Sequence, residues 1–131
     1  MSTFKRFEEI EAWKISRELE RKIWRISTKG SFSKDFGLKD QINRATGSIM
    51  DNIAEGFGRG GNREFVNFLS YSRASNDEVR SQLYRAYDRA HIDEKLFNEL
   101  VELSNSVGVK INNLIVYLRD SNYRGQKFNK R

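Results

Sequence analysis

Seven apolar residues, Leu96, Leu100, Leu103, Val107, Ile111, Leu114 and Leu118, recur at steps of three and four along the chain. That spacing sets them on one stripe of an α-helix; in a strand, where side chains alternate faces, it would scatter them. The chain contains no Pro, so no residue removes a helical N–H or clashes with the preceding turn. Three earlier segments repeat the pattern. Residues 7–29 carry Ile15, Leu19, Ile23 and Ile26, with Trp13 and Trp24 beside the stripe. Residues 35–57 carry Leu38, Ile42, Ala45, Ile49 and Ile53. Here Gly47, Ser48 and Ala54 are small enough to admit a close neighbour. Residues 63–90 carry Phe65, Leu69, Ser72, Asn76, Val79, Leu83 and Ala86, with Phe68 alongside.

The breaks between these stripes are short. Gly30-Ser31-Phe32-Ser33 is the first and Gly56-Phe57-Gly58-Arg59-Gly60-Gly61 the second, with Asn62 as the expected N-cap of the third helix. His91-Ile92 is the third, and Asp93 is the expected N-cap of the fourth helix. Long helices with short links pack as antiparallel neighbours. The chain is therefore expected to be all-α: an antiparallel up-down-up-down four-helix bundle over residues 1–120, followed by a basic, flexible tail over residues 121–131. Trp24, Phe68, Tyr71, Tyr87, Phe97, Ile115 and Tyr117 fall outside the four stripes. A monomer would expose several of them, so a homo-oligomer is expected.

Several chemistries are excluded or poorly supported. There is no Cys, hence no disulfide, thiolate ligand or thiol nucleophile. No apolar run approaches the roughly 18 residues of a membrane span. The first residues, Met1 to Arg6, lack the apolar stretch of a signal peptide. A cytoplasmic protein with no membrane partner is expected. His91 is the single His, and Asp88 stands three residues before it; a di-iron bundle needs two such pairs and two more carboxylates. Asp51 and Glu55 share a helical turn, but no His, Cys or Lys cluster completes an acid–base site. No catalytic residue, metal or cofactor is assigned, and the chain is read as not an enzyme.

Charge is distributed unevenly. The net charge is +6, yet all 18 Asp and Glu and all but six of the 24 Lys and Arg lie within residues 7–120. The body is formally neutral, and the excess comes from Lys5, Arg6, Arg124, Lys127, Lys130 and Arg131. Solubility and an anionic partner both account for such ends. The tail interleaves Arg124, Lys127, Lys130 and Arg131 with Tyr123 and Phe128, the combination of phosphate-binding cations and base-stacking aromatics used on nucleic acids. It could equally be a solubilising end. In the Gly-rich break, Arg59 and Arg63 bracket Gly60 and Gly61 just before a helix N-terminus, where an anion can bind. Glu55 and Glu64 partly offset them, and a plain interhelical turn fits as well.

Phe7-Glu8-Glu9-Ile10-Glu11-Ala12-Trp13-Lys14, Phe36 to Ala45, and above all Ser48-Ile49-Met50-Asp51-Asn52-Ile53-Ala54-Glu55-Gly56-Phe57-Gly58-Arg59 resemble the four-helix bundle proteins related to those encoded in 23S ribosomal RNA intervening sequences. So do Ser72-Arg73-Ala74-Ser75 and Glu78-Val79-Arg80-Ser81-Gln82-Leu83. The resemblance covers roughly residues 7–118. Met50 stands where that family usually has Pro, which weakens any kink there. Ser72 and Ala74 stand where it has Ala and Gly. The resemblance marks Asn52, Glu55, Gly56, Arg73, Ser75, Glu78 and Gln82 as structural motif residues. It implies a ring-like homopentamer without established catalytic activity. Related accessory proteins of diversity-generating retroelements are similar basic pentamers that bind RNA. The expected function is binding of RNA or a ribonucleoprotein partner, with Arg59, Arg63, Arg124, Lys127, Lys130 and Arg131 as the contacts. The alternative is a structural or protein-interaction bundle with no nucleic-acid role. Asn52, flanking the inward-facing Ile49, Ile53 and Phe57 together with Gly56, is expected to be half-buried and bonded to Ser75, Glu78 or Gln82 on the third helix.

Overall fold

Four α-helices follow one another: α1 Glu11–Ser27, α2 Phe36–Gly58, α3 Asn62–Asp88 and α4 Glu94–Asn129. Single turns of 3-10 helix, Phe7–Glu9 and Phe32–Lys34, precede α1 and α2. The computed structural model describes residues 4–129, and side chains for residues 4–121. The expectations for Arg124, Lys127, Lys130 and Arg131 lie outside the described side chains.

The principal packing pairs are α1–α2, α2–α3, α3–α4 and α4–α1, a closed square with α2–α3 the most extensive side. Cross-helix bonds give the directions. Along α2 and α3, Asp35 meets Arg89, Gln41 meets Arg85, and the Ile49 carbonyl meets Ser72. Along α3 and α4, Asn76 meets Ser104, Arg73 meets Asn112, and Asn62 meets Leu118. Falling numbers on one helix pair with rising numbers on the next, so both pairs are antiparallel.

The stripes of α2 and α3 are buried as the periodicity predicts, and Ser72 and Asn76 are buried with them. Ser72 Oγ donates to the Ile49 carbonyl at 2.8 Å. Asn76 Nδ2 donates to the Ser104 carbonyl at 2.9 Å, and Ser104 Oγ donates back to Asn76 Oδ1 at 2.8 Å. Ser72, Asn76 and Ser104 are thus paired inside the bundle, which offsets the penalty of desolvating them.

Elsewhere the stripe is rotated from its expected line. The inner face of α1 is Ala12, Ser16, Leu19, Ile23 and Ser27; Ile15, Ile26 and Trp13 are half-buried, and Trp24 is exposed. The inner line of α1 thus keeps Leu19 and Ile23 and fills its remaining positions with the small Ala12, Ser16 and Ser27. On α4, Ser104 is buried while Leu103 is only half-buried, because Asn76 needs a polar partner there. Ile115 is buried, not left for an interface, and Val66 and Thr46 join the interior. Gly47 faces open space; the close approach comes at Gly56, where an added Cβ would stand 2.7 Å from Phe68 Cβ and 3.0 Å from Phe65 Cδ1. Gly56 therefore lies in the core, and Phe57 is half-buried on its flank.

Helix ends explain the links. Asp35 caps α2 by accepting from Leu38 N, and Asp93 caps α4 by accepting from Leu96 N at 2.8 Å. Asn62 is not a cap: Gly61 holds that position, and Asn62 is the first residue of α3. At the end of α3, His91 N bonds the Ala86 carbonyl and Ala90 N bonds the Tyr87 carbonyl. This is a Schellman turn, with Ala90 at φ 61° in the left-handed position that Gly normally fills. The fourth helix continues beyond Leu118, where the apolar periodicity stops; no Pro interrupts it.

Candidate nucleic-acid interface

The Gly-rich junction reverses the chain between α2 and α3. Gly60 has φ +87°, a left-handed conformation that a side chain would strain. Arg59 is the C-cap of α2, and its guanidinium bonds Glu55 Oε2 at 2.7 Å while lying 4.9 Å from the centre of the Phe68 ring. Arg63 is exposed on the first turn of α3 and forms no ion pair among the described residues. No side chain caps the start of α3.

Asn62 Nδ2 donates to the Leu118 carbonyl at 3.4 Å. The junction therefore sits level with the part of α4 that leads into residues 119–131. The amino-terminal stretch reaches the same end: Phe4, Ile10 and Ala12 line one cavity with Lys110, Leu114 and Tyr117. Lys5 and Arg6, the Arg59–Arg63 junction and the carboxy-terminal part of α4 thus share one pole of the bundle, a gathering that no linear reading of the chain displays.

The motif residues are not gathered in one place. Asn52 is half-buried, but its Nδ2 bonds Ser48 O at 2.9 Å and Ser48 Oγ at 3.0 Å on its own helix. The link to α3 is made by Ser48, which receives Ser75 Oγ at 3.0 Å. The Ser48–Ser75 hydroxyl pair, and not the Asn52 amide, bridges the seam. Glu55 is exposed and held by Arg59. Arg73 bonds Asn112 Oδ1 of α4 at 3.0 Å, leaving Asp77 to Arg80. Arg85 bonds Gln41 Oε1 at 2.9 Å. Glu78 and Gln82 line a polar groove of about 610 Å³ with Arg44, Ser48 and Arg85. Gln82 Oε1 is buried there without a partner among the described residues.

Two features escaped the sequence reading. At the far pole, His91 Nε2 lies 2.9 Å from Asp35 Oδ2, and His91 Nδ1 2.8 Å from Ser31 Oγ. The ring stacks on Phe32, and Arg89 bonds the same Asp35 oxygen at 2.8 Å. A carboxylate oxygen only accepts, so Nε2 carries the proton. The hydrogen bond from His91, then that from Arg89, lowers the Asp35 pKa to about 2. The second feature is the outer face of α1. Lys14, Arg17, Arg21, Lys22 and Arg25 line one groove with Trp13. Its signal in the sequence is charge periodicity at steps of three and four, masked by the neutrality of the body as a whole.

Among the described residues, no group of three or more His, Asp and Glu could hold a metal ion, and no helix is long and apolar enough to cross a membrane.

Residues 8–113 match the family model of the 23S rRNA-intervening sequence protein. The chain belongs to that family. The fold of this 23S rRNA-intervening sequence family member is shared with the crystal structure of a protein of unknown function from the S23 ribosomal protein family of Bacteroides thetaiotaomicron. The two superpose with a TM-score of 0.73 at 20% identity, over 79% of this chain and 94% of the other. No curated protein matches this family member.

Proposed function

We propose that this protein is a non-enzymatic, self-associating bundle, a homopentamer by its family resemblance, that binds RNA or a ribonucleoprotein partner at the pole where its two basic ends meet the α2–α3 junction. The observation that carries the reading is this convergence. Lys5 and Arg6 and the part of α4 that leads into the basic tail lie at one end of the fold, beside Arg63. Family membership supports it through the ribosomal RNA context of the family name. Repetition around a ring would multiply weak phosphate contacts by avidity. Arg59, tied to Glu55 and Phe68, contributes less than Arg63; the cations Arg124, Lys127, Lys130 and Arg131 supply the rest.

An RNA titration at two salt concentrations tests this, with the full chain, with Arg59→Glu plus Arg63→Glu, and with residues 121–131 deleted. The full chain binds with a steep salt dependence, because each neutralised phosphate releases counterions. Both variants bind more weakly and with a flatter slope. Absence of binding by the full chain at low salt leaves the protein-interaction bundle as the function.

A further inference from the structure

α1 packs on α2 and α4 and turns its back to solvent. On that back, Lys14, Arg17, Arg21 and Arg25 step by three, four and four, a cationic stripe that spans about 16 Å at the helical rise per residue. Lys22 flanks it. Three carboxylates share the helix. Glu11 approaches Lys14 at 3.8 Å; Glu18 lines the groove; Glu20 lies beside Trp24. None of them forms an ion pair with Arg17, Arg21, Lys22 or Arg25 among the described residues, so the stripe keeps a local positive excess on a neutral body.

Two indoles border the stripe along the same edge, eleven residues apart. Trp13 is half-buried, packed edge-on against Phe7 at 5.1 Å and 5.9 Å from the Arg17 guanidinium. Trp24 is 54% exposed and lines a second hollow with Arg21 and Arg25. An exposed indole beside two unpaired guanidiniums is what a single strand of nucleic acid uses: the cations take phosphates and the ring takes a base. Paired bases are stacked already and offer no free face to it.

We infer that the outer face of α1 is a docking surface for single-stranded RNA, with Arg17, Arg21 and Arg25 holding the backbone and Trp24 stacking on a base. The inference extends the RNA-binding reading to a second surface and rests on it.

Intrinsic fluorescence reads the stacking directly, since Trp13 and Trp24 are the only indoles. A twelve-nucleotide oligouridylate is titrated into the full-length Trp13→Phe and Trp24→Phe proteins. Quenching is expected in the first and not in the second, and a duplex RNA of equal length should quench neither. Arg17→Glu, Arg21→Glu and Arg25→Glu together should weaken oligouridylate binding at least tenfold and reduce the salt slope by about 2, the share of three phosphates on a single strand. All three arginines are exposed, and circular dichroism confirms that the variant is folded. If the triple variant binds normally while Arg59→Glu plus Arg63→Glu abolishes binding, RNA binding stands and the α1 surface is refuted. If Trp24→Ala lowers the sedimentation coefficient and leaves RNA affinity unchanged, Trp24 is a contact between copies and the surface is again refuted. Absence of oligouridylate binding by the unmodified protein overturns the α1 surface.

Discussion

At Gly56, α3 crowds against α2. A methyl group there would meet Phe68 Cβ at 2.7 Å and Phe65 Cδ1 at 3.0 Å. Phe68 Cβ is fixed to the α3 backbone, so relief requires the helices to part. Ala gains about 1 kcal/mol over Gly in helix propensity, whereas overpacking costs about 1–3 kcal/mol. Because the obstacle is rigid, the second effect wins. Gly56→Ala is expected to lower stability by up to about 2 kcal/mol in urea unfolding. An unchanged midpoint would mean that α3 yields without cost. Periodicity placed Ile49 and Ile53 correctly but put Phe57 ahead of Gly56 as the next inward residue. A residue with no side chain adds nothing to an apolar count, although its absence of volume is what the core requires. Asn52 was legible as half-buried for the same periodic reason, while its bonds to Ser48 in place of α3 depend on side-chain orientation, which spacing does not encode.

At the level of helices and their ends, the three links are held by different means. Ala90 occupies the left-handed residue of the Schellman turn that closes α3. A Cβ in that conformation costs about 1–2 kcal/mol, while Gly loses about 0.5–1 kcal/mol more entropy on folding. Ala90→Gly is accordingly expected to raise the thermal midpoint slightly, by the equivalent of up to about 1 kcal/mol; a lowered midpoint contradicts the assignment. The same turn aims His91 back at Asp35, the cap of α2. Asp35 has a folded pKa of about 2 against an ordinary 3.8. A depressed carboxylate contributes stability that is complete above the unfolded value and lost as pH falls through the folded one. The thermal midpoint should therefore drop between about pH 3.8 and about pH 2. Asp35→Asn keeps a capping oxygen but removes the charge, so its midpoint is expected to show a shallower acid slope than the unmodified protein over that interval. The four helices and most of their boundaries were legible because apolar steps of three and four extend over many turns. The Asp35–His91–Ser31 cluster was not, because it joins residues up to 60 positions apart and involves no repeating pattern.

For the whole molecule, one square of four helices buries its stripes and still leaves large apolar groups outside. Tyr84 and Tyr87 of α3 are exposed and pack on the half-buried Phe97 of α4, with ring centres 4.9 and 4.8 Å away. Val109 and Val116 stand on the outer side of α4. Ile115, by contrast, is buried within the chain and offers nothing to a neighbour. Contiguous aromatic surface of this kind lowers solubility unless it is covered, and a second copy of the chain is the cover favoured here. A closed ring joins two different patches of each subunit, so disabling one of the two interrupts every contact around it. Charge at the Tyr84–Tyr87–Phe97 patch is the appropriate disruption, since a carboxylate is tolerated in water and costly to bury unpaired. Tyr84→Glu with Tyr87→Glu is expected to convert an oligomer into a folded monomer in sedimentation velocity at micromolar concentration, with helical content retained. The unmodified chain sedimenting as a monomer would refute self-association altogether. An oligomer of unchanged size in the double variant would instead move the contact to the other exposed groups, Phe36, Tyr71 or the valines of α4.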